Sequence, residues 1–477
     1  MRPRPAEPKH APPPDAARAE ADIERRRPPH RPKRPRPAPR APAAPPADPP
    51  PAAGEPPTVP PFQPAEEAEQ PQPAEPPAQQ AEPPARKAEP PPRPPESPRD
   101  TPPRSTSEKR TPGRVLWQYP RQIPGQAYST APLRGCPVAF GKNQFAACLG
   151  DRLVGLEWKS SGLKELWTCD LGGHVPGSPV LGPDGLIRVH SGDGWLHCID
   201  PQGARVWEPV PVGEPLGWSS PVVDLNNYTY VSSYGGGIYR VGPRGDFRNR
   251  PFFRTRQKFD CTGLIYRGIL YIGCEDAFLY AIALAEDQGA NTWDPLQHQG
   301  KTQWFINSAP ALAPDFTIVV AGRDEHLYGF HLDGKQAWKL HIPGQMLASP
   351  VIAANGDIFV VVSRIRSGQR DQGRLVCIDG DSHRVRWEYK AEGAVESTPV
   401  IGDDQVVYFG DNAGWIHATG GDGKRLWKQQ ARQPVRSAGN IVGGNRLVFG
   451  LDNGTMVGIL CSSGAISKKG WPKYLGR

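Results

Sequence analysis

The sequence predicts an all-β fold, an eight-bladed β-propeller of four-stranded antiparallel blades, preceded by a disordered proline-rich N-terminal tail. Three observations carry this. A four-residue apolar motif recurs eight times, its starts 43, 42, 41, 48, 48, 41 and 40 residues apart. A second marker, a small or hydroxyl residue usually followed by Pro, recurs eight times in register with the first. The composition of the 477 residues also changes abruptly near residue 112.

The tail comes first. Residues 1–112 hold 38 of the 60 prolines, one of the 52 glycines (Gly54), none of the 13 tryptophans, and Phe62 as their one aromatic. Such a segment has too little apolar surface to offset chain entropy and is expected to be disordered with polyproline II character. Its charge is polarised, 12 Lys/Arg against 5 Asp/Glu over residues 1–40 and 7 against 11 over 41–112. The basic patch RPKRPRPAPR (Arg31–Arg40) lacks interleaved aromatics and reads as a solvated spacer. The tail carries +3 of the formal +8, leaving +5 for residues 113–477, so nucleic-acid binding is not expected.

The first residues show no apolar run after their charged start, and no stretch is long enough to span a bilayer. As written, the sequence is expected to be cytoplasmic, or in the cell envelope or periplasm if a wrongly assigned start removed an upstream signal. The eight cysteines include no CxxC and no adjacent pair, which argues against zinc or a redox couple and leaves disulfide pairing undecided.

The apolar motif runs Leu153–Leu156, Leu196–Ile199, Ile238–Val241, Leu279–Ile282, Leu327–Phe330, Leu375–Ile378, Ile416–Thr419 and Met456–Ile459. The second marker opens each unit at Cys136, Ser178, Ser220, Thr262, Ala309, Ser349, Thr398 and Ala438. A Gly followed four positions later by Trp forms a third, at Gly203/Trp207, Gly334/Trp338 and Gly423/Trp427. Period-two runs such as DIFVVVS and VVYFGD between Gly/Asp turns divide each unit into four short strands. Four strands in about 40–45 residues is the size of a propeller blade.

The stretch SGDGWLHCIDPQGARVWEP (Ser191–Pro209) crowds Asp193, His197, Cys198 and Asp200 together like a metal or nucleophile site. The repeat assigns them otherwise. Asp193 falls, like Asp276, Asp324, Asp411 and Asp452, in the hairpin turn between second and third strands. His197 alternates with Tyr239, Tyr280, Tyr328, His417 and Val376, an exchange that a ligand would not tolerate. Cys198 holds a small-residue phase with Gly155, Ala281, Gly329 and Ala418. All four are expected to be structural, and no catalytic or metal residue is assigned.

Leu-Tyr-x-Ile-Asp, a Gly turn and then Trp, with the Ser-Pro-Val opener, resembles the PQQ-like repeat of the quinoprotein alcohol dehydrogenase-like eight-bladed propellers over about residues 114–477. WD-repeat propellers share the period, but their markers do not recur here. The resemblance implies a girdle role for Trp167, Trp207, Trp338, Trp387 and Trp427. The third unit departs, with Phe252 and Phe253 where Trp is expected. VLWQYP (Val115–Pro120) looks like an outer strand without a blade and is expected to complete the eighth, with SKKGWPK (Ser467–Lys473) reading as a further outer strand.

The family divides into quinoprotein dehydrogenases and non-catalytic propellers, including the lipoprotein that assists outer-membrane β-barrel assembly. Adjacent cysteines, a calcium-ligand set and a catalytic Asp cannot be mapped onto this sequence, so no cofactor is expected and the non-catalytic branch is favoured, a quinone-dependent or ligand-binding propeller being the alternative. A protein partner is expected, with the chain itself monomeric. Regularity breaks at SRIRSGQRDQGR (Ser363–Arg374) and DQGANTWDPLQHQGKTQWF (Asp287–Phe305). Strand alternation sets the first insertion and the end of the second on one face, nominating Arg364, Arg366, Arg370 and Arg374, with Trp293 or Trp304, as partner-binding candidates. Trp304 reads alternatively as the missing outer-strand Trp of the fourth unit.

Overall fold

The computed structural model describes residues 111–120, 131–159, 162–365 and 371–474. The segment 1–110, and with it the expected disordered tail, lies outside the described residues.

Eight four-stranded antiparallel sheets follow one another along the chain, seven of them continuous over residues 138–170, 180–211, 222–254, 264–291, 311–341, 351–390 and 400–430. Blade 7 shows the plan, with strands Val400–Ile401, Val407–Gly410, Trp415–Thr419 and Arg425–Gln430 from the axis outward. Its second strand is buried throughout, whereas no residue of its fourth is fully buried. A middle strand lies between two neighbouring blades, so both of its faces are apolar, whereas the outer strand covers only one neighbour.

Eight apolar clusters hold the ring together, and each lies between consecutive blades. Val360 and Val376 of blade 6 meet Val319 and Leu327 of blade 5; Phe359 and Leu375, on the other side of blade 6, meet Val407 and Phe409 of blade 7. The cluster of Phe145 and Leu156 with Val448 and Met456 joins blade 1 to blade 8 and closes the ring. Blade 8 takes three strands from the C-terminal unit, Asn440–Ile441, Arg446–Gly450 and Met456–Leu460, and its fourth from Val115–Tyr119, as the sequence predicts. The register runs Trp117↔Gly458 to Tyr119↔Met456. Strand pairing between the two ends leaves no blade with a missing edge.

The outer-strand tryptophans share one geometry. Trp167 lies opposite Gly155, Trp338 opposite Gly329, Trp387 opposite Cys377, Trp427 opposite Ala418 and Trp117 opposite Gly458. The small-residue phase of the repeat is therefore the floor on which each blade's own indole lies. The far face of the ring is covered by the next blade: Gly203, at φ 90°, meets Trp167, where an added Cβ would stand 2.6 Å from the ring. Blade 3 replaces both partners. Arg240 occupies the small-residue phase, its guanidinium 4.6 Å from the centre of the Phe252 ring.

One expectation is overturned. Residues 467–473 form no outer strand; the chain after blade 8 turns inward along the axial strands of blades 6 and 7. Ile466 bridges to Gly402, Trp471 bridges to Ile352, and the amide of Ile401 donates to the Pro472 carbonyl. The eighth blade already has its fourth strand, and the free amides of the innermost strands satisfy this segment instead.

Candidate interaction face and central channel

Strand directions set one face, formed by the blade-to-blade connections and the turns between second and third strands. The opener of each unit stands where that face meets the axis. The amide of Cys136 donates to Ser178 Oγ (2.8 Å), that of Ser178 to Ser220 Oγ (2.9 Å), and that of Ser220 to Thr262 Oγ1 (2.6 Å). On the other side of the ring Ala309 donates to Ser349 Oγ (2.9 Å) and Ser349 to Thr398 Oγ1 (3.2 Å). The following Pro has no amide and ends the inner strand's hydrogen bonding, so the opener's amide turns sideways to the next blade.

Tyr474 plugs this ring. Its phenol lies 2.5 Å from Thr262 Oγ1 and 3.4 Å from Ser220 Oγ, and burial pushes its pKa up to about 12. Beneath it is a cavity of about 470 Å³ walled by Val138, Val180, Val222, Leu264 and Trp471. Above it a mouth of about 180 Å³ opens to the connection face.

The mouth takes one residue from each blade, the residue two before the opener: Arg134, Pro176, Trp218, Asp260, Asn307, Leu347, Glu396 and Arg436. Its charges are coupled. Arg436 reaches Asp452 (2.7 Å) and Glu396 (3.3 Å), and Arg134 lies 3.9 Å from Glu396 with its guanidinium over the Trp218 ring at 4.8 Å. Asn307 donates to Glu275 (3.2 Å) and Asp260 (3.4 Å). Burial raises the pKa of Asp260 and of Asp452.

On this face stand four aromatic side chains that the core does not use, Trp195 at 39% exposure, Trp218 at 46%, Tyr234 at 36% and Trp304 at 52%; of these Trp218 lines the mouth. They belong to blades 2 and 3 and to the connections after blades 2 and 4. Lys258 lies 4.6 Å over the Tyr234 ring. Large aromatics with polar edges, half exposed, are a residue type that interfaces favour.

The nominated residues divide. Trp304 and Arg364 are exposed on this face, while Arg366 and Arg370 lie outside the described residues. Arg374 is turned back onto the propeller, donating to the Pro343 carbonyl (2.7 Å) and pairing with Glu388 (3.2 Å). Trp293 is 5% exposed, donates through its indole to the Leu332 carbonyl (3.0 Å) and packs on Gly334, at φ 83°. Trp293, not Trp304, is thus the girdle tryptophan of blade 4, and its ring is unavailable to a partner. Sequence reasoning missed Trp195, Trp218 and Tyr234. For Tyr234 the available signal was an aromatic in a turn where other units carry polar or small residues; Trp195 shares its phase with Phe278 and Trp415 and gave no such signal.

Two residues of the crowded stretch, His197 and Cys198, are buried in blade 2. His197 is 3% exposed, with Nδ1 2.8 Å from Arg205, and its pKa falls to about 4 through burial first and then the Arg205 charge. Cys198 is fully buried, its thiol pushed up to about 11 by desolvation. All eight cysteines are free and buried. In blade 7, Glu392, Asp411 and His417 approach one another closely enough to hold a cation. Asp411 already accepts the amides of Glu392, Gly393 and Trp415, and Lys428 pairs with Glu392.

Comparison with known proteins agrees with this geometry. Residues 280–469 match a family model described as PQQ_2, outer membrane protein assembly factor BamB. Over those residues the chain resembles the PQQ-like repeat propellers. A BamB from Burkholderia pseudomallei is 24% identical over 278 residues, which cover 56% of this chain and 69% of that protein. Among solved structures, BamB from Moraxella catarrhalis matches at a TM-score of 0.53 and 13% identity, over 68% of this chain and 96% of its own. Two further structures share the fold: the computationally designed Ika8 protein, at a TM-score of 0.57, 13% identity and coverage of 70% and 97%, and Sqt1 of Saccharomyces cerevisiae, at 0.58, 11% identity and coverage of 71% and 98%. Among the described residues no helix is long and apolar enough to cross a membrane.

Proposed function

We propose that this PQQ-like propeller is a non-catalytic docking platform that brings protein partners together during outer-membrane protein assembly, using its connection face. The observation that carries the reading is the set of exposed aromatics on that face, Trp195, Trp218, Tyr234 and Trp304, of which Trp218 lines the charged mouth. The named function of the BamB relatives supplies the process. The axis supports a binding role over catalysis, since Tyr474 fills the ring of hydroxyls and no cysteines are adjacent to form the disulfide of the enzyme branch. The reading carries with it a place in the cell envelope.

Photo-crosslinking from the full-length protein in cells tests it. A photoreactive residue at Trp304 or Trp218 is expected to capture one recurrent envelope protein, while the same residue at Leu225, 89% exposed in a turn of the opposite face, captures none. Equal capture from both faces, or recurrent capture from Leu225 alone, would overturn the assignment.

A further inference from the structure

Blade 3 is where the repeat breaks its own pattern, and the break is chemically specific. Residues 240–258 contain seven Arg/Lys against one acid, Asp246, a net of +6, whereas residues 113–477 as a whole carry +5. The basic excess of the propeller is therefore concentrated in this one segment, and the remainder is close to neutral. No girdle Trp fills the outer edge of this blade, and a cavity of about 370 Å³ stands there, walled by Tyr228, Phe247 and Phe252 and lined by Arg240, Arg248 and Arg250.

The arginines are held in different ways. Arg240 is anchored, lying over the Phe252 and Tyr228 rings and donating to the Glu286 carbonyl at 2.6 Å. A carboxylate bridges it to Arg248: Asp287 lies 3.4 Å from Arg240 and 2.8 Å from Arg248. The bridging side chain is itself 69% exposed, on a loop that opens the insertion of residues 287–305. Arg250 is exposed and lines the same cavity. The pair thus already grips an oxyanion, through a group that bulk solvent reaches and a stronger anion can displace. With Asp287 swung aside, three guanidiniums face one remaining carboxylate, Asp246, a surplus of two positive charges.

We infer that the Arg240–Arg248–Arg250 cavity of blade 3 is a binding site for a phosphate group, which takes the place of the Asp287 carboxylate between Arg240 and Arg248. A dianion matches the surplus charge, and the guanidinium fork matches phosphate geometry. The aromatic wall accommodates the apolar part of a phosphate ester.

The test uses full-length protein at fixed ionic strength, with inorganic phosphate followed by calorimetry, and with phosphatidylcholine vesicles with and without phosphatidic acid followed by co-sedimentation. Phosphate is expected to bind saturably. Asp287→Asn should tighten binding and Arg250→Gln weaken it, each by about two- to fivefold, as befits exposed charge pairs. Arg256→Gln, an exposed charge at the far end of the same edge, should leave it unchanged. Retention on phosphatidic acid vesicles with the same order of variants assigns the phosphate to a lipid headgroup; saturable phosphate without vesicle retention assigns it to a soluble ester. If Arg256→Gln weakens binding as much as Arg250→Gln, if Asp287→Asn changes nothing, or if neither probe binds, the site is a diffuse basic surface and the inference fails.

Discussion

The amide of Ser178 donates to the hydroxyl of Ser220 at 2.9 Å, and these two residues are 42 positions apart, one full blade. The same bond joins Cys136 to Ser178, Ser220 to Thr262, Ala309 to Ser349 and Ser349 to Thr398, so wherever the next opener carries a hydroxyl it accepts its predecessor's amide around the axis. Ser220 also faces the Tyr474 phenol. The ring thus ties the blade order to the position of the C-terminal segment.

Replacing the acceptor exposes the value of that bond. Ser220→Ala leaves the buried Ser178 amide without a partner and is expected to destabilise the propeller by about 1–3 kcal/mol, the penalty for an orphaned buried donor. Tyr474→Phe removes a hydroxyl whose partners keep other bonds, and should cost about 1 kcal/mol. Urea midpoints of both variants check the order; a larger loss in Tyr474→Phe would mean the phenol, not the amide chain, holds the ring.

Trp293 and Trp304 are eleven positions apart and should behave oppositely. Trp293→Ala empties a site that is 5% exposed between blades 4 and 5 and is expected to cost about 3–5 kcal/mol. Trp304→Ala, at 52% exposure, should change stability by no more than about 0.5 kcal/mol while reducing partner capture. Thermal denaturation and crosslinking on the same two variants separate them, and a reversed order would return Trp304 to the girdle.

That pair also marks where the sequence stops being legible. Eight units, their four strands and the closure by Val115–Tyr119 follow from markers that recur, because packing between identical neighbours demands the same residue at the same phase. The mouth could not be found that way. Its residues, from Arg134 to Arg436, share a phase but not a chemistry, since each faces the axis rather than a neighbouring blade. The insertion of residues 287–305 broke the Gly-to-Trp spacing, so nothing local distinguished Trp293 from Trp304. The inward course of residues 466–474 was hidden for a different reason. Its partners, Ile352 and Ile401, are more than 60 residues away and offer only backbone groups.

Closure by the N-terminal strand predicts unequal truncations. Removing residues 1–110 keeps Val115–Tyr119 paired with blade 8 and should leave the melting temperature unchanged. Removal through residue 120 also strips Trp117 from Gly458, Phe145 and Trp158, and exposes the edge of Met456–Leu460. Loss of that one half-buried indole is expected to cost about 3 kcal/mol, and the unpaired edge should add aggregation. Equal melting temperatures for the two truncations would show that the ring closes without its eighth outer strand.

His197 gives the propeller a defined acid sensitivity. Its folded pKa is about 4, against 6.5 for an unburdened imidazole, because burial and the Arg205 guanidinium both oppose a second positive charge; Asp193 opposes that shift weakly and His190 adds to it. Between those two values the unfolded chain binds a proton that the folded chain does not. Stability therefore falls as pH drops from about 6.5 to about 4 and no further below, by on the order of 3 kcal/mol in all. His197→Gln keeps an acceptor for Arg205 but cannot titrate, so its denaturation midpoint should decline less steeply across that window than the parent's. An unchanged slope would assign the acid loss to another buried group, of which His190, also lowered by burial, is the nearest.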